Sequence, residues 1–164
     1  MRLSPPNSLT LASVCRVICE DMISIRTANI SDIDTLINLD TTEPEDKGRQ
    51  AHIRSWVAAL KAVVAEIDDA VVGYAVIEYT FFDQGLITML QVAEAHRRKG
   101  VAAQLLLHLE SVCRTDKLFT STNESNGPMQ KLMDAVGYSP SGTVYNLDEG
   151  DPELFYFKRI TNER

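Results

Sequence analysis

The stretch from Leu86 to Ala102 constrains this chain most. Leu86–Val92 is an apolar run of strand length. It passes into the basic, glycine-containing segment His96-Arg97-Arg98-Lys99-Gly100. From Val101 the apolar residues recur at helical spacing, through Leu105, Leu109 and Val112, with Ala102, Leu106 and Cys113 beside them. A helix is predicted over Val101–Thr115. With a helix between them, Leu86–Val92 and the next strand, Lys117–Ser121, can lie parallel through a right-handed crossover. The loop opens the helix at its electropositive end, where the first backbone N–H groups have no partner within the helix. A loop bringing Arg97, Arg98 and Lys99 to that end suits phosphate, and Gly100 lets backbone approach a ligand closely. No Gly-Lys-Ser/Thr follows and no Gly-x-Gly-x-x-Gly is present, so neither a P-loop nor a dinucleotide fingerprint is formed. A solvated helix start is the plain alternative.

The basic segment stands out because the 164-residue chain carries a net charge of -7. An acidic chain of this kind argues against general nucleic-acid binding and suits a cationic substrate. The length is that of one domain with a full core. No apolar run is long enough to span a membrane. The three cysteines, Cys15, Cys19 and Cys113, form no framework and no metal-ligand set. They point to free thiols, no metal and a cytoplasmic setting. Residues 1–21 read as an N-terminal extension, and residues 22–164 as a single domain. Either the extension is a disordered or docking arm, or translation is assigned to start too early, with Met22 the natural start.

In order, Met22–Thr27 alternates as a first strand. Ser31 is a candidate N-cap for a helix carrying Ile33, Leu36, Ile37 and Leu39. An acidic loop, with Glu43, Glu45 and Asp46, leads to a second helix over Arg49–Leu60. Ala62–Ile67 and Val71–Phe81 are strands joined by an Asp68-Asp69 hairpin turn, and Phe82–Gly85 turns the chain into Leu86–Val92. Such short turns make the first half an antiparallel meander. After Lys117–Ser121, Asn126 caps a last helix with Pro128 at a tolerated early position and Met129, Leu132, Met133 and Val136 as its stripe. Thr143–Leu147 and Leu154–Ile160 close the chain around an acidic loop, Asp148–Glu153.

The spacing Arg97-x-x-Gly100-x-Ala102 after Leu90-Gln91-Val92 resembles the acyl-CoA pyrophosphate loop of GNAT-type N-acetyltransferases. Ser121-Thr122-Asn123-Glu124-Ser125-Asn126, followed by a helix closing in Val136-Gly137-Tyr138, is similar to the family's next strand, asparagine and helix. The resemblance spans about Met22 to Ile160. It implies an α/β fold: a mixed, mostly antiparallel six- to seven-stranded sheet flanked by helices on both faces. It implies acetyl-CoA as co-substrate and an acyltransferase that acetylates a primary amine, on a small molecule or a protein, by direct attack in a ternary complex. By resemblance, the backbone of Leu90, Gln91 and Val92 meets the pantetheine and the acetyl carbonyl. Arg97, Arg98, Lys99, Gly100, Val101 and Ala102 hold the pyrophosphate, and Asn123 and Asn126 belong to the pantetheine side. A homodimer is compatible with such a fold.

One departure stands out. Where many family members carry a tyrosine that protonates the leaving thiolate, this chain has Met133, in Leu132-Met133-Asp134-Ala135-Val136-Gly137-Tyr138. Tyr145 is then the candidate acid; the alternatives are a water, or a departure that protonation does not limit. Glu78 is the candidate base, with Val76 and Ile77 expected to desolvate it; a surface carboxylate is the alternative. The acidic loops favour a small cationic acceptor. The rival function is a non-catalytic acyl-CoA-binding sensor or regulatory module.

Overall fold

The protein is described by a computed structural model covering residues 22–40 and 46–161. Residues 1–21, and with them the expected extension, lie outside the described residues, as do Glu43 and Glu45 of the acidic loop.

Strand β1 (Ser24–Thr27) leads through a 3-10 turn at Ile30–Asp32 to α1 (Ile33–Leu39) and α2 (Lys47–Ala58). Strands β2 (Ala62–Ile67), β3 (Ala70–Phe81) and β4 (Gln84–Val92) follow. Helix α3 (Val101–Val112), strand β5 (Lys117–Asn123) and helix α4 (Gly127–Ala135) come next. Strands β6 (Ser139–Asp148) and β7 (Asp151–Arg159) are the last of the described elements. The seven strands form one sheet in the order β1-β2-β3-β4-β5-β7-β6. Among the described residues only β4 and β5 pair in parallel, and they are the strands that the α3 crossover joins. The meander β1–β4 is antiparallel, as the short turns require. Both tight turns put two residues at positive φ, Asp68 and Asp69 in one and Phe82 and Asp83 in the other, the twist a two-residue hairpin favours.

Helices cover both faces of the sheet. On one, Val101, Leu105, Leu106, Leu109 and Met133 pack against Ala65, Ala75, Ile77, Ile87 and Leu118. On the other, Leu36, Ile53 and Val57 pack against Val64, Tyr74 and Val76. That second core, among the described residues, draws on β2, β3 and β4 and not on β5–β7.

Several boundaries differ from expectation for local reasons. Ser31 is not the cap of the first helix. Asn29 caps the 3-10 turn instead, accepting from the Ser31 amide while Asp32 reaches back to the Asn29 amide, a reciprocal capping box. Helix α2 begins at Lys47 because Asp46 accepts the Gly48 and Arg49 amides. Helix α3 stops at Val112, where Cys113 turns extended and Thr115 accepts the Gly85 amide. Strand β6 is longer than the Thr143–Leu147 expected, because it pairs with β7 from Ser139 onward. No helix among the described residues is long and apolar enough to cross a membrane.

Candidate active site

The parallel pairing that joins the two halves of the sheet is brief. It runs through Gly85–Leu118, Leu86–Phe119 and Ile87–Thr120 and then ends, although both strands continue. Beyond Ile87, β4 keeps its antiparallel partner β3 but leaves β5. One register feature accompanies the divergence. The pairing of β3 with β4 steps from Val76–Met89 to Ile77–Ile87, so Thr88 is an extra residue, a β-bulge that bends β4 where it parts from β5. The Thr88 hydroxyl is enclosed there without a hydrogen-bond partner among the described residues.

A cleft of about 560 Å³ opens at this divergence. Leu90, Gln91 and Val92 form one wall, His96, Arg97, Arg98, Gly100 and the first turn of α3 form its end, and Asn126, Pro128, Met129 and Leu132 form the other wall. The first bond within α3 runs from the Gln104 amide to the Gly100 carbonyl at 3.0 Å. The amides of Val101, Ala102 and Ala103 therefore have no partner in the helix, and the helix dipole adds positive potential at the same place. Gly100 sits at φ +85°, and a Cβ built there meets no atom within 4 Å. A side chain at this position would occupy the space in front of those amides. This combination of free amides, a bare glycine and basic neighbours fits a phosphate group. Arg97 turns its Nε to the Val92 carbonyl at 3.3 Å, which ties the loop to the end of β4. Among the described residues no cluster of His, Cys, Asp or Glu could hold a metal ion.

Most of the residues expected at the cofactor come together in this cleft: Leu90, Gln91, Val92, Arg97, Arg98, Gly100, Val101, Ala102 and Asn126 all line it. The Gln91 amide group itself turns to the opposite face and donates to the Leu39 carbonyl at 3.2 Å. Asn126 also caps α4, its Oδ1 accepting the Met129 amide. Lys99 and Asn123 are not brought to the cleft. Asn123 binds Asp148 at 2.8 Å and links β5 to the end of β6. His96, Ala103, Pro128, Met129 and Leu132 line the cleft without having been expected there. The signal for Met129 and Leu132 lies in the apolar stripe of α4, whose spacing alone does not separate core from cleft wall. They are only partly buried and line the cleft.

The two candidate catalytic side chains fare differently. Glu78 lies in register with Leu86, immediately before the divergence. Its expected apolar isolation is not found, because Lys61 Nζ lies 2.8 Å from Glu78 Oε1. Tyr145 is 67% exposed on the outermost strand β6 and does not line the cleft. Its strand is an edge strand, exposed along its whole length, so the side chain has nothing to fold against. Met133 is fully buried in the core beneath α3, and Tyr138 is also buried, its phenol pushed well above the usual tyrosine range by desolvation and by Glu110. Neither stands free as an acid.

On the other face of the sheet, Asp40 at the end of α1 is buried and takes the Arg49 guanidinium at 2.9 Å and the Tyr74 hydroxyl at 3.2 Å. Burial and the neighbouring carboxylate raise the Tyr74 pKa. The cluster fastens both ends of the α1–α2 connection to β3.

Comparison with known proteins agrees with the geometry. Residues 30–138 match the family described as Acetyltransferase (GNAT) family. The crystal structure of a GNAT-family acetyltransferase from Bacillus cereus is 33% identical, with a TM-score of 0.81, covering 86% of this chain and 99% of that one. The fold is shared with a ribosomal-protein-alanine N-acetyltransferase from Brucella melitensis, at 21% identity and a TM-score of 0.70, covering 83% of this chain and 99% of that one. It is shared too with yncA, a putative acetyltransferase from Salmonella typhimurium solved with acetyl-CoA, at 17% identity and a TM-score of 0.68, covering 87% and 96%. A search of curated protein sequences returns no match.

Proposed function

The chain belongs to the GNAT acetyltransferase family, and from that premise we propose that it acetylates a small cationic primary amine by direct attack in a ternary complex with acetyl-CoA. The observation that carries the reading is the cleft at the β4–β5 divergence, ending on the bare Gly100 and the free amides of Val101–Ala103. Acetyl-CoA supplies the activated acetyl group as a thioester. The α3 amides and the Arg97–Arg98 segment would hold its phosphates, and the exposed edge of Leu90–Val92 would align the extended arm as an added strand.

In this reading Glu78 receives the proton that the amine gives up. Lys61 holds Oε1 at 2.8 Å, and Oε2 is the oxygen left to take the proton. A thiol of ordinary pKa near 8.5 leaves as thiolate without an assigned acid, so neither Met133 nor Tyr145 is needed for departure. Direct attack is favoured because Cys113, the described cysteine, is buried with its Sγ 3.5 Å from the Thr115 carbonyl and does not line the cleft. The chain's net charge of -7 supports a cationic acceptor, and three cysteines without a disulfide framework in the sequence support a cytoplasmic setting.

The test is calorimetric titration with acetyl-CoA followed by thiol release against a panel of amines. Binding with turnover is expected. Binding without turnover on any amine or peptide would favour an acyl-CoA sensor, and absence of binding would overturn the site.

A further inference from the structure

The strand register lays out the face from which an acceptor can reach the divergence. Glu78, Leu86, Phe119 and Phe157 are paired in register across β3, β4, β5 and β7 and therefore share one face. Along β7 the same face carries Phe155 and Glu153, since alternate residues share a side. The neighbouring row, Ile77, Ile87, Thr120 and Tyr156, points to the opposite face beneath α3.

Those two faces are unequally open. On the α3 face, Leu105, Leu106, Leu109 and Met133 are fully buried, and the opening there is the cleft already assigned to the cofactor. On the other face, the helix-covered core stops at β4. What lies beyond is aromatic. The Phe119 and Phe157 rings stack at 5.9 Å, and Phe81, from the end of the β3–β4 hairpin, lies 5.3 Å from Phe119 and 5.5 Å from Phe155, stacked on the latter at 14°. All four rings are half-buried. Phe119 is one residue from the last parallel pair, Ile87–Thr120, so this surface is continuous with the place where the thioester would be presented.

We propose that this aromatic floor selects the acceptor, and that the acceptor is a primary amine carried on an aryl or similarly apolar group. The inference rests on the acetyl-transfer reading above and names the class of amine for it. Rings at this position offer an apolar body both contact area and edge or stacked packing, and their faces attract an ammonium. Glu78 and Glu153, on the same face, complement the charge of the amine. Glu78 is already paired with Lys61, so a polycation would bury its methylenes on these rings with Glu153 alone left to meet its further charges.

The experiment compares kcat/KM for phenethylamine, cyclohexylmethylamine and spermidine in the wild-type chain, and repeats it in Phe155→Ala. The ring-bearing amines are expected to exceed spermidine by about tenfold, and Phe155→Ala to raise their KM by about tenfold with acetyl-CoA affinity unchanged. The wild-type comparison stands even if the variant fails to fold. A preference for spermidine, turnover confined to peptide N-termini, or an unaltered KM in a folded Phe155→Ala would overturn the proposal while leaving acetyl transfer standing. So would a dimer that Phe155→Ala dissociates with KM unchanged, which would make the face a self-interface. Acetyl-CoA binding with no turnover on any amine would instead remove the acetyl-transfer reading, and this proposal with it.

Discussion

Lys61, just past the end of α2, places its Nζ 2.8 Å from Oε1 of Glu78 in the middle of the sheet. The pair ties the helical layer to β3 at the row that leads to the divergence. Replacing Glu78 by Gln removes the proposed proton acceptor without changing shape. The expected result is a fall in kcat of about 100-fold or more, with acetyl-CoA affinity retained. Lys61→Met keeps the carboxylate and is expected to cost far less activity. Equal losses in the two variants, matched by equal losses of thermal stability, would assign the pair to structure alone.

Gly100→Glu puts a carboxylate into the open space before the α3 amides. Nothing lies within 4 Å of the added Cβ, so the fold meets only the cost of a left-handed residue, about 1–2 kcal/mol. Calorimetry should show acetyl-CoA binding lost by repulsion and crowding, while circular dichroism stays native. Undiminished affinity would overturn the assignment of this loop.

Met133→Tyr places a hydroxyl at the position where the family resemblance implies a tyrosine. Met133, however, has no exposed surface and packs in the core beneath α3. The larger ring and its hydroxyl should overpack that core by about 1–3 kcal/mol, read as a lower Tm, with no gain in turnover. A rise in kcat at unchanged Tm would show that the side chain reaches the cleft.

Asp32 binds the Arg26 guanidinium through both oxygens, at 2.7 and 2.9 Å, and its hydrogen bonds with Arg26 chiefly lower its pKa. A carboxyl whose folded pKa is depressed stabilises the fold above its unfolded pKa, about 3.9. That contribution is lost as pH falls through the lower folded value. Asp32→Asn should therefore cost about 1–3 kcal/mol near neutral pH and progressively less below about pH 4. Thermal melts between pH 7 and pH 2.5 measure the difference, and a constant gap across that range would contradict it.

Much of the fold was legible because it is written locally. The meander follows from short turns at Asp68-Asp69 and Phe82-Asp83, and the parallel pair follows from one helix between two strands. The cofactor wall was legible for the same reason, since Leu90 to Ala102 is one continuous stretch. What could not be read is what depends on distant segments meeting. Lys61 cannot be matched with Glu78 by spacing, because the pairing of β2 with β3 and the end of α2 together decide it. Tyr145 and Asn123 carry suitable atoms, but the edge position of β6 and the Asp148 carboxylate decide where they go. Met129 and Leu132 show the same limit: one apolar stripe serves as core at Met133 and as cleft wall a turn away.

The brevity of the β4–β5 pairing has a consequence for the empty protein. Past Ile87 and Thr120, two strands inside a single sheet each present a free edge to the other. To any extended segment such an opening is an unfinished ladder, and free edges of this kind template association between chains. Occupancy of the cleft is thus also a form of self-protection: the molecule is least adhesive when loaded, and its shelf life in solution should lengthen with the concentration of the thioester it consumes.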